Sequence, residues 1–353
     1  MTPDDFWQDV NEPTRPPIVL PDIGTFFNQD IDLALSLVEA VKVAGARYIK
    51  GEILHDADIC LATDVSEQYL GSNAQPVREN YRQLIERKTL TLDQYQQIFA
   101  PCRELGMGLV LSVYDQAGAD FAVNMGACAL KVASSNIVHA PLIRYCASLK
   151  LPLIIDSGKS SREEVIRAVH WAQQAGAERL ILEYSPPAPP APVEQHNLRA
   201  ISDLRKIFSG PLGLSDHHAG EEMLYAASAL GYRLLEKGLC ADNQFTDQDV
   251  FHALPLSQLA TVMEKCRAIH AALGAASAAY TAPTKRPAAR MGLVAAINLD
   301  VGDSLDSNTV RFAFPTLGIP VEDWDKVRQL QIKTPVAAGQ PIEWQHVEST
   351  TAR

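Results

Sequence analysis

Short apolar runs alternate along the chain with longer stretches whose apolar positions recur at helical spacing. Ile18–Asp22 reads as a strand, and Asp30–Ala44, with an amphipathic period in Leu33, Leu35, Leu37, Val38 and Val41, as a helix. Arg47–Gly51 is a second strand, followed by a long excursion over 52–90 that ends in a polar helical segment near Val77–Arg87. Thr91–Leu105 is helical, with Thr91 or Asp93 available as its N-cap. Further strands are expected at Gly108–Ser112, Cys128–Ala133, Leu151–Asp156, Arg179–Glu183, Leu212–Leu214 and Tyr232–Lys237, with helices over Glu163–Ala175 and Leu256–Leu273. The proline-rich run Ser185–Pro192 is expected as a stiff loop, because proline offers no N–H to a helix or ladder. Strands separated by helices require crossover connections and so a parallel sheet. Eight such units in about 250 residues fit a closed (β/α)8 TIM barrel. No Gly-x-Gly-x-x-Gly follows the first strand, which counts against a Rossmann sheet.

The pattern changes after Gly274. Residues 275–289 are rich in Ala, Thr and Pro and read as a linker. Residues 290–353 show short strands and turns: Leu293–Ile297, a turn at Val301-Gly-Asp, Thr309–Phe312 and Val336–Gln340. The expected division is therefore a barrel over 1–274, a linker over 275–289 and a small β-rich domain over 290–353. A domain this small is expected to lean on a partner surface.

Composition narrows the classes. Of 353 residues 47% are hydrophobic and 21% charged, enough for a buried core. A net charge of -11 argues against a nucleic-acid groove or an anionic membrane as the main partner. No apolar run approaches the roughly 20 residues that span a bilayer, and the start lacks a basic region followed by an apolar one. The six cysteines are scattered, with no Cys-x-x-Cys pair, and are expected as reduced thiols in a cytoplasmic protein.

Barrels of this kind carry their chemistry at the C-terminal ends of the strands. Those ends supply Asp22, Lys50, Ser112, Lys131 with Ser134, Asp156 with Ser157, Glu183, Ser215 with His217, and Glu236 with Lys237. Taken singly, each is as readily a cap or a solvated side chain. As a set, two lysines and several serines describe a site for a phosphate or carboxylate. Lys131 is the most telling, since a lysine within an apolar strand needs a partner or ligand. His217 is open to three roles: metal ligand, general base or helix cap. His218 beside it is expected to point elsewhere.

The series Pro21-Asp-Ile-Gly24, Ala44-Gly-Ala-Arg-Tyr-Ile-Lys50, Leu130-Lys-Val-Ala-Ser134, Asp156-Ser-Gly158, Gly213-Leu-Ser-Asp-His217 and Leu235-Glu-Lys237 resembles the sialic acid synthase family. The tail, with Arg290, Ala296–Asp303 and Gly339-Gln-Pro-Ile342, resembles the antifreeze-like (SAF) domain that ends those synthases. The resemblance covers about residues 17–350. It implies condensation of phosphoenolpyruvate with an aldose or related aldehyde to give a 2-keto-3-deoxy sugar acid and phosphate. It implies a homodimer in which the small domain caps the partner's barrel. By motif position Lys50, Lys131, Ser134, Ser157 and Ser215 would hold phosphoenolpyruvate, and Asp249 would face sugar and water. A divalent metal, Mn or Mg, is also implied, with His217 as one ligand.

Several positions depart from the family pattern. Asp22 stands for a glutamate, Phe26-Phe27 for Asn-His, and Gly51-Glu52 for Phe-Gln. Val113-Tyr-Asp115 replaces Thr-Pro-Phe, Asn136 an acidic residue, Pro186 an asparagine, and Gly238 the second metal histidine. Phe314 or Ala313 stands where the small domain would donate an arginine. Three readings follow: a divergent synthase with an unnamed acceptor, a Schiff-base lyase or aldolase using Lys131 or Lys50, and a non-catalytic barrel that binds an anion. Intact anion-contacting positions put the synthase first.

Overall fold

The computed structural model describes residues 1–70, 75–187, 191–242, 250–274 and 290–349. The chain divides into two units, Met1–Gly274 and Ala275–Arg353. The expected linker over 275–289 and the candidate Asp249 lie outside the described residues.

The first unit opens with α1 (Pro3–Asn11), β1 (Ile18–Asp22), α2 (Ile31–Val43) and β2 (Tyr48–Ile53). A hairpin, β3 (Ser66–Leu70) and β4 (Pro76–Asn80), precedes α3 (Tyr81–Glu86) and α4 (Leu92–Glu104). Regular alternation resumes with β5 (Gly108–Val113), α5 (Gln116–Asn124), β6 (Ala129–Val132), α6 (Ala140–Ser148), β7 (Leu153–Asp156), α7 (Arg162–Gln174) and β8 (Leu180–Tyr184). It closes with α8 (Ile201–Ile207), β9 (Leu212–Asp216), α9 (Glu222–Leu230), β10 (Leu234–Cys240), β11 (Leu254–Pro255) and α10 (Leu259–Leu273). Strands β1, β2 and β5–β10 pair in parallel in that order, and β10 returns to β1 with Ile18 opposite Leu234. This is the closed eight-stranded (β/α)8 barrel that the alternation implies. The two-residue strand β11 adds to the free end of β10, Leu239 opposite Leu254.

Two departures from the sequence pattern have local causes. The segment expected as helix from Val77 is strand as far as Asn80, because Val77 pairs across the hairpin with Tyr69. The helix begins only where the Asn80 side chain accepts from the Gln83 N–H. The N-terminal helix α1 follows from a capping box at Thr2 and Asp5 with proline in its first turn, and it buries Phe6 and Val10.

Side chains alternate across a strand, so every second residue points into the barrel. One inward level is apolar: Leu20, Tyr48, Val110, Ala129, Ile154, Ile181 and Leu234 cluster with Phe6 and Val10. Helix α1 thus closes the N-terminal end of the barrel. Two residues further along each strand the inward level is polar, and that level is the candidate site. The outward residues of the strands pack under the helices in the main core, for example Ile49, Leu111, Leu130, Ile155 and Leu182 with Val38 and Phe99.

The second unit holds two antiparallel pairs: β12 (Gly292–Ala295) with β13 (Val310–Ala313), and, after α11 (Trp324–Val327), β14 (Leu330–Ile332) with β15 (Val347–Ser349). These fit a small antifreeze-like fold. Its core contains Leu293, Leu299, Leu305, Ile319, Ile332 and Ile342. Val336–Gln340, expected as a strand, contributes a single bridge between Val336 and Leu299. No helix among the described residues is long and apolar enough to cross a membrane.

Candidate active site

Each of the eight barrel strands delivers one buried polar side chain to the same level: Asp22, Lys50, Ser112, Lys131, Asp156, Glu183, Ser215 and Glu236. The level therefore holds four carboxylates against two lysines. Lys50 Nζ lies 2.5 Å from Asp22 Oδ2, 3.3 Å from Glu52 Oε1 and 3.5 Å from Glu236 Oε1. Lys131 Nζ lies 2.6 Å from Glu236 Oε1, 2.7 Å from Glu183 Oε2 and 3.2 Å from Asp156 Oδ2. Both lysines expected in an anion site are thus already engaged by carboxylates.

Their ionisation follows from burial and crowding. Burial pulls the Lys50 ammonium down, but Asp22, Glu236 and Glu52 outweigh it and hold its pKa above the ordinary value. Burial acts on Lys131 in the same way, and Glu183, Glu236 and Asp156 push it well above the usual range. Burial and the Lys50 charge oppose one another at Asp22, whose carboxyl rises to about 6. Glu183, fully buried with Glu236 and Asp156 beside it, is pushed up to about 8 despite Lys131. Burial would also raise Glu236, yet Lys131 and Lys50 hold it down to about 2. Glu236 is the ionised centre of the level, and its Oε1 also accepts from Ser215 Oγ at 3.2 Å.

A cavity of about 160 Å³ opens above this level. Asp22, Lys131, Ser134, Ser215 and His217 line it together with Gly238 and residues not singled out before, Thr25 and His252. Lys50 lies beneath the lining, 1% exposed. Ser157 is also buried off the cavity wall, its N–H donating to the Glu183 carbonyl. His217 Nδ1 lies 3.2 Å from the Ser215 carbonyl, which can only accept, so Nδ1 carries the proton. The lone pair of a neutral imidazole is then on Nε2. His218 points away, as expected, toward Glu222 at 3.2 Å. Four buried oxygens of the level, Ser112 Oγ, Glu236 Oε2 and both carboxyl oxygens of Glu183, have no hydrogen-bond partner among the described residues. Such orphans imply a water or ligand.

A family model described as the NeuB family matches residues 37–278. The chain belongs to the NeuB family. An N,N'-diacetyllegionaminic acid synthase of Legionella pneumophila is 23% identical over 344 residues, covering 94% of each chain. A pseudaminic acid synthase of Helicobacter pylori is 22% identical, covering 95% of this chain and 98% of its own. Among solved structures, a putative spore coat polysaccharide biosynthesis protein E of Chromobacterium violaceum superimposes with a TM-score of 0.68 at 20% identity, over 94% of this chain and 99% of that one.

The second metal position that the resemblance implies is Gly238 here. Gly238 offers no donor, and a Cβ built there would lie 3.0 Å from Cζ of Phe26. The phenyl ring occupies the space that a histidine at 238 would need. Among the described residues no group of three or more His, Cys, Asp and Glu side chains is arranged to hold a metal. The described residues therefore do not fit the two-histidine site that the family resemblance implies. The imidazole of His252 lies beside His217, with ring centroids 5.0 Å apart. His252 gave no signal in the sequence, because nothing near it belongs to a recognised motif.

Proposed function

We propose that this NeuB-family chain is a synthase that joins phosphoenolpyruvate to an aldose or related aldehyde, releasing phosphate and a 2-keto-3-deoxy sugar acid. The observation that carries the reading is the convergence of Lys131, Ser134, Ser215 and His217 on one cavity at the C-terminal end of the barrel. Similarity over nearly the whole length to curated nonulosonate synthases supports the reaction class.

In this reading Lys131, Ser134 and Ser215 hold the donor's anionic groups, and Lys50 acts from below by fixing Asp22 and Glu236. Ser157 contributes through its backbone contact with β8. The donor's methylene carbon forms the new bond to the aldehyde carbon with its double-bond electrons, while the aldehyde's π electrons pass to its oxygen, which takes up a proton to become a hydroxyl. Water adds at C2 with loss of one proton, and the C2–O bond to phosphate then breaks, its electrons leaving on phosphate as the new C2 hydroxyl gives up its proton to form the 2-keto group. The Nε2 lone pair of His217 is the base that takes the proton from that water. Asp249 keeps its place as a sugar-facing acid, from motif position alone. A homodimer and a cytoplasmic location belong to the same proposal.

The Schiff-base alternative is disfavoured by the same geometry. A lysine nucleophile must lose its proton, whereas the carboxylates around Lys50 and Lys131 hold both ammonium groups charged. The test is phosphate release from phosphoenolpyruvate across a panel of aldoses and N-acetylated sugars, with Mn²⁺ and with chelator. Release with one acceptor, equal in both metal conditions, is the expected result. Turnover without phosphate release, or trapping of a carbonyl ligand on lysine by borohydride, would sink it.

A further inference from the structure

The crowding around Lys131 sets a condition on what the site can bind. An ammonium group carries three N–H donors, and three carboxylate oxygens lie within 3.2 Å of Nζ. A ligand oxygen can reach Lys131 only by displacing one of them. Two are anchored elsewhere. Asp156 accepts through Oδ1 from the Gly158 N–H at 2.9 Å and from Ser185 Oγ at 2.7 Å. Glu236 accepts from Ser215 and stands near Lys50. Glu183 differs: it is 0% exposed, and neither of its carboxyl oxygens has a well-directed hydrogen bond among the described residues. Its Oε2 lies 2.7 Å from Lys131 Nζ.

We propose that Glu183 decides whether Lys131 can take an anion: protonated, it leaves the lysine's charge open to a ligand; ionised, it takes that charge itself. Glu183 is thus a specificity-determining residue of the donor site, acting through Lys131. The groups that face it are Lys131 from β6, Asp156 from β7 and Glu236 from β10, while β9 presents the bare backbone of Gly213 against its Cγ. Two of its three charged neighbours are acidic, so a proton on Glu183 relieves repulsion as well as freeing the lysine. The proton goes to solvent when the pH rises, and the anion leaves with it.

This inference rests on the donor reading, and the experiment separates the two. Phosphoenolpyruvate is titrated calorimetrically into the intact protein and into Glu183→Gln between about pH 7 and about pH 9.5. A phosphate monoester completes its own second ionisation near about pH 6, below this range. The expected result is a wild-type Kd that is steady at the lower end and weakens toward about tenfold per pH unit above about pH 8. Glu183→Gln should stay within about twofold across the range. Equal weakening in both proteins, or a wild-type Kd flat to the upper end, overturns the proposal. If phosphoenolpyruvate binds neither protein, the donor reading fails. Inorganic phosphate, titrated in parallel, then decides the role of Glu183: the same pH-dependent loss confined to wild type upholds it, and no binding or an equal loss overturns it.

Discussion

At the scale of single residues, this site is governed by the pairing of excess carboxylates with too few lysines. Glu183 and Glu236 sit on the same level with opposite consequences for stability. Glu236 has a folded value of about 2 against an ordinary 4.5, so its contribution is present above about pH 4.5 and lost as the pH falls toward 2. Glu183 is raised from 4.5 to about 8, so the unfolded chain loses its proton first. Between those values the folded state binds more protons than the unfolded state, and stability falls as the pH rises. Glutamine at 183 carries no proton to lose. The thermal melting temperature of Glu183→Gln should therefore gain on wild type steadily from about pH 5 to about pH 8 and level off beyond. A constant difference across that range would mean that Glu183 is ionised in the folded protein throughout. Phe26 and Gly238 make a second residue-scale point. Each departure is visible in the sequence on its own, but only the structure shows the ring of one standing in the space vacated by the other.

At the scale of elements, the strands were legible as short apolar runs between helical stretches, each ending in polar residues. Ile18, Leu20 and Asp22 point one way, as do Tyr48, Lys50 and Glu52, and each series turns polar toward its C-terminal end. The same rule could not say which carboxylate meets which lysine. Lys131 and Glu236 are separated by 105 residues, and their contact depends on barrel closure. Helix α1 escaped the sequence reading because its apolar positions are few. Its weight is clear in the fold: Phe6 is fully buried, with its ring edge-on to Tyr48 at 5.1 Å, and it belongs to the apolar level beneath the site. Phe6→Ala should cost about 3–5 kcal/mol in urea unfolding, the range for truncating a buried aromatic residue. Donor affinity should be unchanged where the variant is folded, because α1 closes the end of the barrel away from the cavity. A loss below about 1 kcal/mol would show that α1 docks without supporting the barrel.

At the scale of the whole molecule, the two units raise different problems of burial. The barrel unit covers its sheet with its own helices and closes its far end with α1. The small unit has a compact core but leaves a run of large apolar side chains in solvent: Phe312 is 41% exposed, Phe314 59% and Leu317 68%. Single exposed apolar residues are ordinary, whereas a run of them within six positions on a unit this small calls for a covering surface. A second copy of the chain is the partner expected from the family resemblance, and a homodimer joined by a two-fold axis would cover the same run on both subunits. The chain should therefore be dimeric by light scattering at micromolar concentration. Replacing Phe314 and Leu317 together by serine should shift it toward monomer. Val301→Ser, at a comparably exposed site away from that run, should leave the dimer intact. Monomeric wild-type protein would sink the idea that a second copy covers these residues, and a dimer untouched by the double substitution would place its interface elsewhere.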